Sequence, residues 1–177
     1  VPAADAGSDD EAYWAGIAAQ YDVTDAVIQL ENGNWGMMAR PVLAHYQQQV
    51  ARVNRDTSFY ARRGMGADLA AVRSRLAEDL GVDASEIVFT RNATEALKSL
   101  IGGYNRIGKG SAVLYADLDY DSMQTSLINA ARRRGARVVR IDLPEPATHA
   151  SVLAAYEAAF AANPDIRLAL LTHISHR

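Results

Sequence analysis

Several residue types are scarce in this chain, and each scarcity removes a class of function. The 177 residues contain no cysteine, which excludes a thiol nucleophile, disulfides and thiolate-bound metal ions. Lysine occurs only at Lys98 and Lys109. No apolar run approaches the roughly 18 residues that a membrane span needs. Charges of both signs are interspersed and the net charge is −3, so the sequence supports neither nucleic acid nor an anionic membrane as a partner.

The remaining composition is that of an ordinary globular protein. Hydrophobic residues make up 49% and charged residues 22%, and the length suits about one domain. Residues 1–10 are small and polar, like a mature end left after signal-peptide cleavage, although a trimmed recombinant chain would look the same. The compartment therefore stays open between the periplasm, or another exported location, and the cytoplasm.

From residue 87 onward, strand-like and helix-like patterns alternate, which predicts an α/β fold with a mostly parallel sheet covered by helices. The predicted elements are strand 87–90, helix 93–103, strand 112–116, helix 120–134, strand 137–141, helix 149–162 and strand 167–172. Because the last residues directly follow a buried strand, we expect the chain to belong to a larger polypeptide.

The first part of the chain is less regular. Residues 1–66 are predicted to form an N-terminal arm and the segment that leads into a sheet domain at 67–177. Its predicted elements are helix 11–20, strand 27–30, a glycine-punctuated loop at 31–36, a helix from Pro41 to Val53, a polar-aromatic connection at 54–66, and helix 67–80 stopped by Gly81.

The most informative segment runs from Ile87 to Leu97 and reads as a buried strand that turns directly into a helix. Asn92 is suited to cap this helix, and Ala93 and Thr94 fill its first turn. A helix start has unpaired N–H groups and partial positive charge, so it attracts anions such as phosphate. A capped helix without any ligand would show the same pattern, so the motif alone leaves both interpretations open.

The four histidines do not predict a metal site. His173 and His176 are three residues apart on a predicted strand, where their side chains point to opposite faces. His45 and His149 lie far away in sequence, so no cluster of ligands emerges.

Several stretches, in this order, resemble the class V, fold-type I family of pyridoxal-phosphate (PLP) enzymes. The nearest subgroup in pattern is isopenicillin-N-epimerase-like, and cysteine desulfurases are more distant relatives. The matching stretches are QLENGNWG at 29–36, RPV at 40–42, FTRNATEAL at 89–97, DLDYDSM at 117–123 and LTHIS at 171–175. The resemblance implies that this chain is the N-terminal half of such an enzyme.

The resemblance implies a role for each matching position on the cofactor side. Ala93 and Thr94, after the Asn92 cap, would bind the PLP phosphate through N–H groups and a hydroxyl. Tyr120 would stack on the pyridine ring, although a tyrosine packed in the core at a helix start is an alternative. The stretch at the end of the last strand would lie beside the cofactor and includes Thr172, His173, Ser175 and His176.

On the substrate side, the resemblance implies two further groups of residues. Asn32, Gly33 and Trp35 belong to a loop that approaches the cofactor, or they form an ordinary turn. In relatives, the stretch that matches Tyr60, Arg62 and Arg63 crosses a homodimer interface, and a guanidinium suits a phosphate or carboxylate.

The implied function is a PLP-dependent enzyme acting on an amino acid or amine, by transamination, epimerisation or lyase chemistry. No catalytic residue is predicted in this chain, because neither lysine stands at the family's Schiff-base position and that lysine is expected downstream. The alternatives are a non-catalytic relative of the PLP fold, and a nucleotide- or phosphosugar-binding α/β domain. The latter lacks both glycine-rich phosphate-binding patterns.

Overall fold

The computed structural model describes residues 9–33 and 35–175, which fall into two compact units that divide between Ile87 and Val88. The described part of the first unit comprises α1 (Glu11–Ala18), α2 (Arg40–Arg63), α3 (Met65–Leu80) and a 3₁₀ turn (Ala84–Glu86). The second unit comprises α4 (Ala93–Gly103), β1 (Ala112–Ala116), α5 (Asp121–Arg134), β2 (Arg137–Ile141), α6 (His149–Ala162) and β3 (Ile166–Ala169). The domain division at residues 66 and 67 stays a prediction.

The second unit contains a parallel sheet with the strand order β2-β1-β3. Leu114 of the central strand pairs with Val139 on one side and Ala169 on the other. All five residues of β1 are buried, as expected for a strand with a neighbour on each edge and helices over its faces. The predicted α/β class with a helix-covered parallel sheet is confirmed.

The core of this unit forms where α4 and α5 pack on β1. Val113, Leu127 and Ala131 are fully buried there, and Met123 and Ile101 lie in the same cluster. Gly135 ends α5 in the left-handed conformation (φ 71°), which glycine adopts without a steric penalty. These contacts hold α5 against the central strand and α4 against α5.

In the first unit, α2 continues through residues that the sequence predicts as a connection. Its helical bonding runs to Arg63, with a kink at Thr57 (φ 43°), so the predicted connection at 54–66 is wrong. The reason is that polar contacts replace apolar packing in the second half of α2. The Arg52 guanidinium lies 4.5 Å from the centroid of the Tyr60 ring, and the Tyr60 hydroxyl donates to Asp68 of α3 at 3.0 Å.

Two predicted strands are also wrong. Residues 27–30 and 87–90 pair with no strand among residues 9–33 and 35–175, and Ile28 and Leu30 are almost fully exposed. A run of apolar, β-prone residues becomes a strand only when a neighbouring chain segment accepts its hydrogen bonds. The last strand ends at Ala169, earlier than the predicted 172. None of the helices in the described ranges has the length and apolarity that a membrane crossing requires.

Candidate functional site

The start of α4 offers free hydrogen-bond donors. Asn92 is extended, and its side chain accepts the Glu95 N–H at 2.9 Å, which confirms the predicted cap. Within the described residues, the N–H groups of Ala93 and Thr94 donate to no acceptor. Both residues are exposed, so these two amides and the Thr94 hydroxyl are accessible to an anion.

An ion pair stands beside these donors. The Glu95 carboxylate accepts from the Arg91 backbone N–H at 2.8 Å and from the Arg91 guanidinium at 3.2 Å. These bonds, the side-chain one first, hold the pKa of the Glu95 carboxyl below its ordinary value. Arg91 therefore offsets the negative charge that Glu95 places in the first turn. An open depression follows the same side of α4 and is lined by Arg91, Asn92, Thr94, Glu95, Lys98 and Ser99.

The lowered pKa of Glu95 predicts a pH-dependent stability. A carboxyl whose pKa is lower in the folded state stabilises it above the unfolded pKa, taken as 4.5, and loses this effect as the pH falls through the folded pKa. We expect E95Q to melt below wild type at about pH 7, with a smaller gap at a second, lower pH that lies below the unfolded pKa of 4.5. Thermal unfolding followed by circular dichroism measures this, with E157Q on the exposed side of α6 as the control. An equal gap at both pH values would contradict the assignment.

A second group of residues lies at the carboxyl end of the central strand. The turn after β1 leads to Tyr120, which precedes α5 and is 57% exposed. Asp119 is buried, at 1% exposure, and its carboxylate accepts the Ala116 N–H and the Thr172 hydroxyl, each at 2.7 Å. The structure therefore brings Tyr120 and Thr172, both predicted from the sequence, to one edge of the sheet through Asp119.

Two further side chains secure this turn. The Gln124 amide donates to the carbonyls of Asp119 at 2.6 Å and Asp117 at 3.2 Å. The Asp117 carboxylate accepts the N–H of Leu143, which follows β2, at 2.9 Å. The turn after the central strand is thus bonded to the segments that follow both neighbouring strands.

The charge of this turn acts on a tyrosine of α6. Burial, and then the negative charges of Asp119 and Asp117, raise the pKa of the Tyr156 hydroxyl.

The two groups of residues face the same edge of the sheet. The Arg134 guanidinium, at the end of α5, donates to the carbonyls of Gly102 (2.6 Å) and Tyr104 at the end of α4. Because the two helices also pack against each other, we infer that they run in the same direction. Since α5 begins at the carboxyl edge of the sheet, the start of α4 also faces that edge, where ligands of parallel α/β sheets bind.

The remaining predicted cofactor residues follow Thr172. His173 is exposed and Ser175 is half-buried. His176 lies outside the described residues. Residues 173–175 are close in sequence to the Thr172–Asp119 bond, and their contacts with a cofactor stay a prediction.

The predicted substrate residues all belong to the first unit. Asn32, Gly33 and Trp35 lie on an exposed loop, with Trp35 83% exposed. Tyr60, Arg62 and Arg63 lie in the last turns of α2 instead of a connection. The Tyr60 hydroxyl already donates to Asp68, and this bond raises the pKa of Tyr60. Their role toward a substrate stays a prediction.

Sequence reasoning missed Asp119 and Gln124. Asp119 reads as an ordinary turn residue, because aspartate is common after strands. One signal in the sequence could have identified Asp119. It lies within three residues of an entirely apolar strand, so its turn is expected to be buried, and a buried carboxylate needs hydrogen-bond donors.

Comparisons with known proteins show which proteins this chain is similar to. Two curated rice (Oryza sativa subsp. japonica) proteins are similar: putative L-cysteine desulfhydrase 2, 29% identical over 164 residues, and putative L-cysteine desulfhydrase 1, 28% identical over 177 residues. The matches cover 85% and 91% of this chain but only 34% and 36% of those proteins. The chain thus spans about a third of the length of the curated relatives it matches.

Two solved structures share the fold. A C-DES variant with glycine covalently linked to its PLP cofactor matches with a TM-score of 0.73 at 20% identity, over 90% of this chain and 41% of that one. The cysteine desulfurase CsdA from Escherichia coli matches with a TM-score of 0.67 at 21% identity, over 88% and 40%.

The family comparison covers most of the sequence. The model of the aminotransferase class V family matches residues 38–176, which include every predicted cofactor residue. Proteins of this family depend on PLP. The chain therefore belongs to the aminotransferase class V family.

Proposed function

We propose that this chain supplies the phosphate-binding and ring-stacking part of a PLP-dependent enzyme that acts on an amino acid or amine. The observation that carries the proposal is the pair of N–H groups at Ala93 and Thr94, for which the described part of the chain supplies no acceptor. They open a helix whose start faces the same sheet edge as Tyr120 and Thr172.

The donor set fits the cofactor. A phosphate dianion accepts several hydrogen bonds, and the start of α4 supplies two amides and a hydroxyl with the positive end of the helix dipole. In the Arg91–Glu95 ion pair, the guanidinium offsets the negative charge of the carboxylate, which would otherwise repel a phosphate at the start of α4. The exposed ring of Tyr120 suits a flat pyridine, a stacking contact worth about 0.5–1.5 kcal/mol beyond burial.

The cofactor would supply an electron sink for bonds at the α-carbon of the substrate. The protein part described here would bind the phosphate, support the ring and hold both groups at fixed positions. Lys98 lies within α4 and Lys109 lies in the loop before β1, at the opposite end of that strand from Tyr120. We therefore assign the role of the cofactor-binding lysine to neither of them.

The substrate class is a second step of the proposal. Two relatives carry the name putative L-cysteine desulfhydrase, so a carbon–sulfur lyase reaction on cysteine is the first to test, ahead of transamination and epimerisation. A competing proposal is that the chain belongs to the isopenicillin-N-epimerase-like subgroup, which its sequence motifs resemble. The guanidinium groups of Arg62 or Arg63 would bind the substrate carboxylate, in a homodimer of the family's usual kind.

The full-length protein tests the proposal directly. We expect a visible absorption band of bound PLP that borohydride removes, and a T94A variant that binds PLP about tenfold more weakly, because one hydroxyl donor to a charged group is lost. T125A, an exposed threonine in α5, is the matched control and should bind like wild type.

Each other outcome identifies a rival. A protein that binds PLP without the borohydride-sensitive band would be a non-catalytic relative. A protein that binds nucleotides or phosphosugars but not PLP would be a phosphate-binding domain of another class. Release of sulfide from cysteine would support the lyase reaction, and its absence together with racemisation or amino transfer would select one of the other reactions.

A further inference from the structure

Asp119 is unusual among the buried residues of this protein. In the part of the chain that the structure describes, it is the only polar or charged side chain in the buried class. None of the ion pairs among the described residues includes it. A buried carboxylate without a basic partner is unfavourable unless neutral donors satisfy its oxygens. Here the Ala116 N–H satisfies one oxygen and the Thr172 hydroxyl satisfies the other, both at 2.7 Å.

These two bonds join three parts of the chain at the sheet edge. Ala116 is the last residue of β1, Thr172 lies on the segment after β3, and Tyr120 directly follows Asp119. The Asp119 N–H also donates back to the Ala116 carbonyl at 3.1 Å, which closes a tight turn. The side chain of Tyr120 is exposed, but its backbone is held on one side by this turn and on the other by α5.

An apolar residue of similar size could fill the position of Asp119 but could not accept its two hydrogen bonds. Its two oxygens accept in two directions at once, so the end of β1 and the segment after β3 have one relative position. Gln124 holds the same turn from α5 through the Asp119 carbonyl at 2.6 Å. The free-energy cost of burying the Asp119 carboxylate is thus offset by its hydrogen bonds, and these bonds also fix the backbone next to Tyr120.

We propose that Asp119 is a positioning residue that sets Tyr120 and Thr172 in their relative places before the cofactor binds. The proposal rests on the proposed function, because it takes Tyr120 and Thr172 as contacts of the PLP ring. Asp119 would act through these two residues and would not itself touch the cofactor. Without Asp119, the turn before Tyr120 and the segment that carries Thr172 would lose their fixed relative position, and the free energy needed to order them on binding would weaken cofactor affinity.

The test uses the full-length protein and the variants D119A, D119S and D119N, each with and without Y120A. D119S keeps one hydroxyl for the Ala116 N–H and loses the link to Thr172, whereas D119N can accept from Ala116 and donate to Thr172. The control D142A removes an exposed aspartate of the same unit. The measurements are PLP affinity of the apoprotein, the visible circular dichroism of bound PLP, and the melting temperature.

We expect D119A and D119S to bind PLP about tenfold more weakly, with reduced circular dichroism of the bound cofactor, while D119N and D142A stay close to wild type. In the Y120A background, D119A should cause a smaller further loss than in wild type, because the contribution through Tyr120 is already absent and only the contribution through Thr172 remains. A purely structural role would instead lower the melting temperature and add fully to the effect of Y120A.

Three outcomes overturn the proposal. The first is unchanged PLP affinity in both D119A and D119S, and the second is full additivity with Y120A. The third is failure of both variants to fold, which would make Asp119 a folding residue. If Y120A and T94A themselves leave PLP affinity unchanged, the proposed function fails as well, and this result is distinct from a failure confined to Asp119.

Discussion

Replacing Ala93 with aspartate is expected to abolish PLP binding while leaving α4 folded. Ala93 is the first residue of α4, is exposed, and has an N–H without an acceptor within the described residues. An aspartate there would place a carboxylate where the phosphate is proposed to bind. Two unit charges about 4 Å apart repel by about 4 kcal/mol near a protein surface, so the loss of affinity should exceed about a hundredfold.

The same substitution should leave stability unchanged or raise it slightly. Acidic residues in the first turn of a helix interact favourably with its dipole, by about 0.3–1 kcal/mol. Opposite effects on affinity and stability separate loss of a binding site from loss of the fold. PLP titration of the apoprotein and thermal melting measure the two quantities, and A93S is the neutral control of similar size. PLP binding by A93D at wild-type strength would place the phosphate elsewhere.

Shortening Leu127 to alanine should have the largest effect on stability. Leu127 is fully buried in α5 and belongs to the cluster that includes Val113 of β1 and Ile101 of α4. Removing its side chain leaves a cavity at this contact, and such changes destabilise by about 2–5 kcal/mol. Chemical unfolding of the full-length protein, followed by circular dichroism, measures the change.

The matched control is L153A in α6, where the leucine is 49% exposed. It should lower the free energy of unfolding by well under half as much, since less apolar surface leaves water there on folding. Equal effects of L127A and L153A would mean that α5 is not packed on the sheet as described. Saturating PLP should raise the melting temperature of L127A, because a ligand that binds only the folded state stabilises it.

The local motifs of the second unit were predictable because their causes are local. Asn92 caps α4 as expected, because an asparagine side chain accepts the N–H three residues later whatever the rest of the fold does. Helix α6 begins at His149 and ends at Ala162 as expected, after the capping threonine Thr148. The strands at 112–116 and 137–141 were also correct, since the first is an entirely apolar run and the second carries β-branched residues at three of its five positions.

The errors arose where a distant partner decides the outcome. Residues 27–30 have a strand composition, but within the described residues they pair with no neighbouring strand. Residues 54–63 look like a connection because their apolar period ends, yet Tyr60 is held to Arg52 and Asp68 and the helix continues. In neither case do propensity and periodicity show whether a partner for the segment is present.

The amino-acid sequence alone established the α/β class, the capped start of α4 and the membership of a PLP family, because these depend on short-range patterns and on ordered motifs. Only the tertiary structure decided that Asp119 is buried, that it bonds both Ala116 and Thr172, and that the starts of α4 and α5 face one edge. Thr172 is 53 residues away from Asp119 along the chain, and such a pair is created by strand order, which no local pattern contains.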